Sequence, residues 1–415
     1  MSSFDLTGGA GKAAYRLSQG LRDQGVDLHM DVQSRSGDAS WVSESLSAWR
    51  KSMNRLRPTL DRLPLRVYRS YGGTPWSTNL MPRRVPIAPG STGVQIVHLH
   101  WVGYGFVPIS SLRQWNVPIV WTLHDSWAFT GGCHVPGDCR RYTESCGRCP
   151  QLGSKSSVDL SRFIWQRKAS NWNGVRLTTV APSQWLASAA RESALMRHHD
   201  IHVIPNGLDL ALFRPIDPDL CRSLLQLPMD KKLIVFGAVS PFGDPNKGFS
   251  HLREAIEILA AGKDSANFEL VIFGASALTK DGEFALPTRC LGPIRDELKM
   301  AMLLSAADVT VVPSRSENLS NTIMESLACG TPVACFDIGG NGDMVDHRES
   351  GYLARPFDAG DLARGIRWIT DAAHPPFGVR QKARAKCERD FSIERVAQRH
   401  VALYESLLKQ AAAER

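Results

Sequence analysis

The sequence predicts an α/β fold made of two doubly wound domains, each built on a parallel sheet. Three observations carry this. Short β-branched apolar runs recur along the chain and alternate with stretches of helical period. Polar or Gly-rich loops follow these runs, as at the carboxyl ends of strands in an open sheet. The chain has 415 residues, more than one core of roughly 100–200 residues holds.

The first half opens on a Gly-rich turn, Thr7 to Gly11, followed by an amphipathic helix at 12–24 with Ala14, Leu17 and Leu21 on one face. Only Met1 to Leu6 precede that turn, and Ser2, Ser3 and Asp5 make a poor strand. The first strand is therefore either very short or begins upstream of Met1. Residues 34–92 are polar, broken by Gly and Pro, and show few periodic runs. Strands are expected at 94–99, 119–123, 178–181 and 201–204. The second half is cleaner. Strands are expected at 233–237, 268–274, 309–313 and 333–336, and helices at 251–261, 297–307, 321–329 and 358–371. The Pro205-Asn206-Gly207 turn marks the junction, giving domains at 1–203 and 204–388, with a C-terminal helix at 389–415 packing back toward the first domain.

Apolar residues make up 43% and charged residues 22%, which excludes disordered, collagen-like and coiled-coil proteins. The net charge of +8 suits an anionic partner: nucleic acid, a phosphorylated small molecule or an acidic membrane face. The N-terminus lacks the basic and apolar regions of a secretory signal. No run approaches the roughly 18 apolar residues of a membrane span. The expected location is the cytoplasm, where the nine Cys would be free, metal-bound or catalytic rather than disulfide-bonded.

The strongest motif is Ser316-Glu317-Asn318-Leu319, Glu325 seven residues after Asn318, then Gly330-Thr331-Pro332-Val333. It places Glu317 ahead of a helix N-terminus that can hold an anion, and Glu325 inside that helix, where a carboxylate can accept both hydroxyls of a ribose. Phe236-Gly237 ends a strand, and Asn246-Lys247-Gly248 follows before a helix, so that Lys247 is a phosphate ligand in waiting. Asn206-Gly207-Leu208-Asp209 and Gly339-Gly340-Asn341-Gly342 are further turns. Asp217-Pro218-Asp219 spells a possible metal motif but precedes a helix, so an N-cap is the better reading. Gly8 to Lys12 is no P-loop, because Leu6 and Ala13 stand where Gly and Ser/Thr are needed.

Taken in order, these motifs resemble a family-4 retaining glycosyltransferase of GT-B fold along nearly the whole chain. The Trp121 to Trp127 stretch, with its four-cysteine insertion, is similar to bacterial exopolysaccharide enzymes of the colanic-acid type. The resemblance implies two Rossmann-like domains facing a central cleft. It implies a hexose moved from a nucleotide-diphosphate sugar (UDP or GDP) to a saccharide acceptor carried on a lipid, with no cofactor required for catalysis. His124 would sit at the reacting centre with Asp125 beside it. Glu317 would hold donor-sugar hydroxyls and Lys247 would neutralise the leaving diphosphate. Glu325 would bind the ribose, with the Asn318 and Leu319 backbone near the phosphates. Gly8, Gly9 and Ala10 would let backbone approach the donor, and Asn206 and Gly237 complete the substrate-binding set. Attack from the front face, with the leaving phosphate taking the acceptor proton, needs no covalent nucleophile. Many relatives carry Arg after the strand-end Gly. Here Ala238 stands there, with Ser240 the nearest polar side chain.

His98 and His100, next to Trp101, either line the acceptor site or pack at the sheet edge. Cys133, Cys139, Cys146 and Cys149 share one Gly-rich loop and suit a structural zinc site, with His134 a spare ligand and free thiols or disulfides the alternatives. Arg50, Lys51, Arg55, Arg57, Arg62, Arg66 and Arg69, after Trp49, form either a solvated helix face or a surface for the anionic inner leaflet. Two other functions compete: a non-hydrolysing sugar-nucleotide epimerase, which gives no reason for the Glu pair, and a basic zinc-containing nucleic-acid binder. The cysteine loop lacks the dense basic helix the latter needs, so no nucleic-acid partner is expected.

Overall fold

The computed structural model describes residues 1–44, 48–82, 93–237, 244–275, 284–371 and 376–414. Ala238 and Ser240, and the side chains of Trp49 and Arg50, lie outside the described residues. The chain divides into two compact units, Met1–Asn206 with Val396–Arg415, and Gly207–Arg395. The sequence boundary thus moves from 203/204 to 206/207, and the returning segment begins at Val396 rather than 389.

The first unit carries β1 (Ser2–Phe4), β2 (Met30–Ser34), β3 (Val42–Glu44), β4 (Val97–Leu99), β5 (Ile119–Thr122), β6 (Leu177–Ala181) and β7 (Asp200–Val203). All pairings are parallel, in the orders β1-β2-β3 and β4-β5-β6-β7. Two backbone bonds join the sets: His100 N–H to Met1 O at 2.9 Å and Ser3 N–H to Trp101 O at 2.7 Å. The strand order is therefore 3-2-1-4-5-6-7, a doubly wound sheet whose topological switch lies between β1 and β4. The first strand is present and only three residues long.

Its helices are α1 (Gly8–Asp23), α2 (Ala48–Arg62), α3 (Leu160–Trp172) and α4 (Gln184–Glu192). Leu17 and Leu21 of α1, Val120 and Val180 of the sheet, and Val396, Ala397 and Leu403 of the C-terminal helix (Ile393–Ala413) form one core cluster. Ile119, Trp121, Leu99 and Leu177 point the other way, into an aromatic-rich core. Alternate residues of one strand thus feed two cores, the period-2 rule of a sheet buried on both faces.

Helix α2 falls in a stretch with few periodic runs, where a helix was expected only as the solvated-face alternative for the basic cluster. Its inward stripe is Asn54, Arg57 and Asp61, all buried, spaced for a helix face but polar. Asn54 exchanges bonds with Gln33. Arg57 donates to Gly105 O and Pro82 O. Asp61 accepts from the Thr78 and Asn79 backbone and from the Thr78 hydroxyl. A hydrophobic pattern cannot reveal such a stripe, and Pro58 in the helix interior argues against it from sequence.

The second unit has α5 (Pro218–Leu225), β8 (Lys232–Gly237), α6 (Phe249–Ala260), β9 (Phe268–Phe273), β10 (Thr288–Cys290), α7 (Glu297–Ala306), β11 (Val309–Val312), α8 (Asn321–Ala328), β12 (Val333–Phe336), α9 (Asn341–Met344), β13 (Gly351–Ala354), α10 (Ala359–Thr370) and α11 (Pro376–Asp390). The sheet order is β10-β9-β8-β11-β12-β13, all parallel. Renumbered within the unit this is 3-2-1-4-5-6, the Rossmann order. Leu233, Val235, Val271 and Cys335 feed one core and Ile234, Phe236, Ile272 and Phe336 the other.

Candidate functional site

In the second unit the loops after β8, β11 and β12 converge. Two glycines allow it. Gly248 has φ +69°, and a Cβ there would lie 1.8 Å from Pro313 O. Gly339 has φ +53°, and a Cβ there would lie 1.9 Å from Glu317 O. Both positions need the left-handed region and the missing side chain. Arg315 N–H donates to Asn246 O at 2.8 Å, and Gly340 N–H to Glu317 O at 3.1 Å. Lys247 and Glu317, seventy residues apart in sequence, are thereby brought together. Lys247 Nζ lies 2.7 Å from Glu317 Oε1, which also accepts from Ser314 Oγ at 2.8 Å. Burial works against the Lys247 charge, but the Glu317 carboxylate, with Asp244 beyond it, outweighs burial and holds the ammonium above the ordinary lysine range.

Helix α8 begins behind Glu317, capped by Ser320, whose Oγ accepts from Ile323 N–H. Asn318 and Leu319 lead into the cap, and Glu325 lies on the second turn, buried. Gly237 closes β8, where a Cβ would strike Phe273 O at 2.5 Å. Asp217 accepts from Leu220 N–H at 2.8 Å, as a helix cap does.

In the first unit a small cleft opens at the carboxyl ends of β4 and β5. His100, Trp101, Trp121, His124, Asp125 and His134 line it. Asp125 does not offer its carboxylate to the cleft as a free acceptor. Its Oδ2 accepts from Trp101 Nε1 at 2.5 Å and His134 Nδ1 at 2.6 Å, and its Oδ1 from Trp127 N–H at 2.8 Å. Burial raises its pKa, but His134 and these bonds prevail and hold it below the usual carboxylate range. Asp125 thus organises the loop at the edge of the cleft it lines. Burial pushes the His124 imidazole down to about 4, despite the Asp125 charge. Gly8, Gly9 and Ala10 form the first turn of α1, where Thr7 makes no side-chain cap and Gly8 has φ +72°. Asn206 is the last residue of the unit before the junction.

Among the described residues no group of three or more His, Cys, Asp or Glu is placed to hold a metal ion. The Thr130 hydroxyl donates to the Cys133 carbonyl at 2.6 Å. Burial raises the Cys133, Cys146 and Cys149 thiols, Cys146 to about 12, and favours their neutral form. His134, the spare ligand, is committed to Asp125 and to Ser77 at 2.8 Å.

Sequence reasoning missed Lys168. It is fully buried on α3, donates to Trp127 O and Thr130 O, and lies 3.6 Å from the Trp127 ring centroid. Burial lowers it to about 7. Only its distance from the loop in sequence hid it.

Comparison with known proteins follows the same division. The Glycosyltransferase Family 4 profile matches residues 7–212, and the Glycosyl transferases group 1 profile matches residues 231–371. The chain therefore belongs to the glycosyltransferases of this family. It is 26% identical over 296 residues to D-inositol 3-phosphate glycosyltransferase 2 of Catenulispora acidiphila, a match covering 67% of this chain and 63% of that protein, under two thirds of its length. It is 27% identical over 332 residues to D-inositol 3-phosphate glycosyltransferase of Mycolicibacterium paratuberculosis, covering 77% and 68%. Among solved structures, sucrose-phosphate synthase of Thermosynechococcus elongatus aligns with a TM-score of 0.69 at 21% identity, over 99% of this chain and 96% of that one. HepE of Anabaena, solved with UDP, aligns with a TM-score of 0.60 at 15% identity, over 98% and 100%. The fold is accordingly GT-B, with two Rossmann-like units.

Proposed function

We propose that this protein transfers a hexose, with retention, from a nucleotide-diphosphate sugar to a saccharide hydroxyl. The observation that carries the reading is the Lys247–Glu317 pair at the head of α8, with Glu325 buried one to two turns further on. It offers a cation for a diphosphate and carboxylates for sugar and ribose hydroxyls. The bond from the anomeric carbon to the diphosphate oxygen breaks, and a bond to the acceptor oxygen forms. The acceptor proton passes to the departing diphosphate. Lys247 stabilises the negative charge that develops there, and preorganised charge of this kind usually contributes most of an enzyme's rate enhancement. UDP is the favoured nucleotide, supported by HepE, whose structure holds it.

The acceptor is assigned to the lipid-linked saccharides of surface or exopolysaccharide assembly, at the cytoplasmic face of the membrane. Supporting this, Lys51, Arg55, Arg62, Arg66 and Arg69 are exposed beside the exposed apolar Leu56, Leu63 and Val67. That mixture suits an anionic interface. Arg57 leaves the cluster, since it is buried. Among the described residues no helix is long and apolar enough to cross a membrane.

Incubation with a panel of nucleotide sugars and saccharide acceptors tests the reading. Transfer should fall by roughly 100-fold or more in Lys247→Ala, the loss typical of one preorganised charge donor, and fall also in Glu325→Ala. Unchanged transfer in both variants would remove the site assignment.

A further inference from the structure

We propose that His100 is a positioning residue that sets the tautomer of His124, and that the C-terminal helix holds His100 in place through His98. This rests on the reading that places His124 at the reacting centre. His100 Nδ1 lies 3.1 Å from His124 Nε2, with the rings 28° apart. His100 in turn stacks on His98, centroids 4.2 Å apart. Three groups grip His98. Tyr404 Oη lies 2.5 Å from its Nδ1, Thr122 Oγ1 lies 2.8 Å from its Nε2, and the His400 ring stacks on it at 5.6 Å. Tyr404 and His400 both belong to the returning C-terminal helix, which is part of the same unit.

The backbone under the two histidines is fixed as well. The Met1 ammonium donates to His98 O at 2.6 Å, Met1 O accepts from His100 N–H, and Trp121 Nε1 donates to His100 O at 3.0 Å. The row is therefore built in, not a chance meeting of side chains at a sheet edge.

The chemistry follows from counting protons. Burial drives the His98 and His100 imidazoles well below their ordinary range, and His124 and His400 to about 4, so all four are uncharged near neutrality. Two neutral imidazoles facing each other share one hydrogen, so one nitrogen donates and the other accepts. Whichever way His100 Nδ1 is set, His124 Nε2 takes the complementary state and His124 Nδ1 the opposite one. The hydrogen bond made at one ring nitrogen decides in this way which nitrogen carries the proton. His400 shows the same logic: its Nδ1 lies 2.9 Å from Val396 O, which only accepts, so Nδ1 is protonated. Its Nε2 is a buried acceptor with no partner among the described residues.

The test uses the full chain labelled with 15N-histidine. Long-range 1H–15N spectra read each ring nitrogen directly, and kcat and KM are measured on the same samples. Wild type should show His124 in a single tautomer. His100→Phe keeps a ring but removes Nδ1. It should give mixed His124 tautomers and a kcat lower by roughly 10- to 100-fold, the scale of a misplaced catalytic group, with KM within about 2-fold. His100→Asn restores a polar atom near the Nδ1 position and should recover most of the loss. If His100→Phe does not fold, Tyr404→Phe, which removes one hydroxyl, carries the test with the same spectral change. Unchanged His124 resonances in the folded variants would overturn the proposal. Should His124→Ala transfer normally while His100→Phe still shifts the His124 signals, the positioning stands and the assignment of His124 to the reacting centre falls.

Discussion

Asp125→Asn separates an organising carboxylate from a substrate-binding one. Oδ2 accepts two donors, Trp101 Nε1 and His134 Nδ1, and Oδ1 accepts Trp127 N–H. An amide has one acceptor oxygen. In its better orientation the new NH2 faces Trp127 N–H, leaving a buried donor unmet at about 1–3 kcal/mol. The two remaining bonds lose their charge assistance, at about 0.5–1 kcal/mol each. Together these come to about 2–5 kcal/mol, or roughly 5–15 °C in the melting of a unit this size. Differential scanning calorimetry on the full chain, without substrate, gives the answer. A transition of the first unit within about 1 °C of wild type would refute the reasoning, because a carboxylate reserved for substrate tolerates the amide.

Three further outcomes follow from the same structure. Gly248→Ala forces a left-handed residue and a Cβ 1.8 Å from Pro313 O. It should cost about 2–4 kcal/mol in urea unfolding of the second unit, more than the strain of the dihedral alone. Stability should fall with acid as pH drops from about 6.5 to about 4. Unfolded histidines take up protons near the ordinary histidine value, whereas His124 and His400 in the fold wait until about 4. Their contribution is therefore intact above the unfolded value and lost as pH drops, at about 2.7 kcal/mol per pH unit mid-window for these two groups. His98 and His100 add in the same direction. Melting temperatures well above and well below the unfolded histidine value, at about pH 7.5 and about pH 5, check the sign. A higher value in acid contradicts it. Finally, the triple variant Arg55→Glu, Arg62→Glu, Arg66→Glu should lose at least about 3 kcal/mol of binding to anionic vesicles. Equal pelleting of the variant and wild type would remove the membrane face.

Much of the second unit was legible because its strands are buried on both faces and so appear as continuous apolar runs. Val309–Val312 and Val333–Phe336 are examples. The short edge strand β10, Thr288–Cys290, is only partly buried and carries no such signal. In the first unit, β1 was doubtful because Ser2 and Ser3 are polar, yet both are fully buried. Met1 and Ser3 backbone groups bond the β4 end, and it is this pairing, invisible in sequence, that makes the strand. The candidate site was half legible. Motif spacing singled out Lys247, Glu317 and Glu325, but not that Lys247 and Glu317 would pair. The histidines could be named but not weighed, since Tyr404 reaches His98 from 306 residues away. The cysteine spacing suggested zinc, while among the described residues no group of three or more His, Cys, Asp or Glu is placed to hold a metal ion.

The central claim is that the Lys247–Glu317 loop cluster receives a nucleoside diphosphate. Isothermal titration of UDP, GDP and ADP into the full chain and into Lys247→Ala measures this most directly. Saturable binding of one of the three is expected. Its affinity should be at least about 10-fold weaker in the variant, the roughly 1.4 kcal/mol that one charge-assisted contact readily supplies. Binding of none of them, or the same affinity with and without Lys247, would contradict the claim.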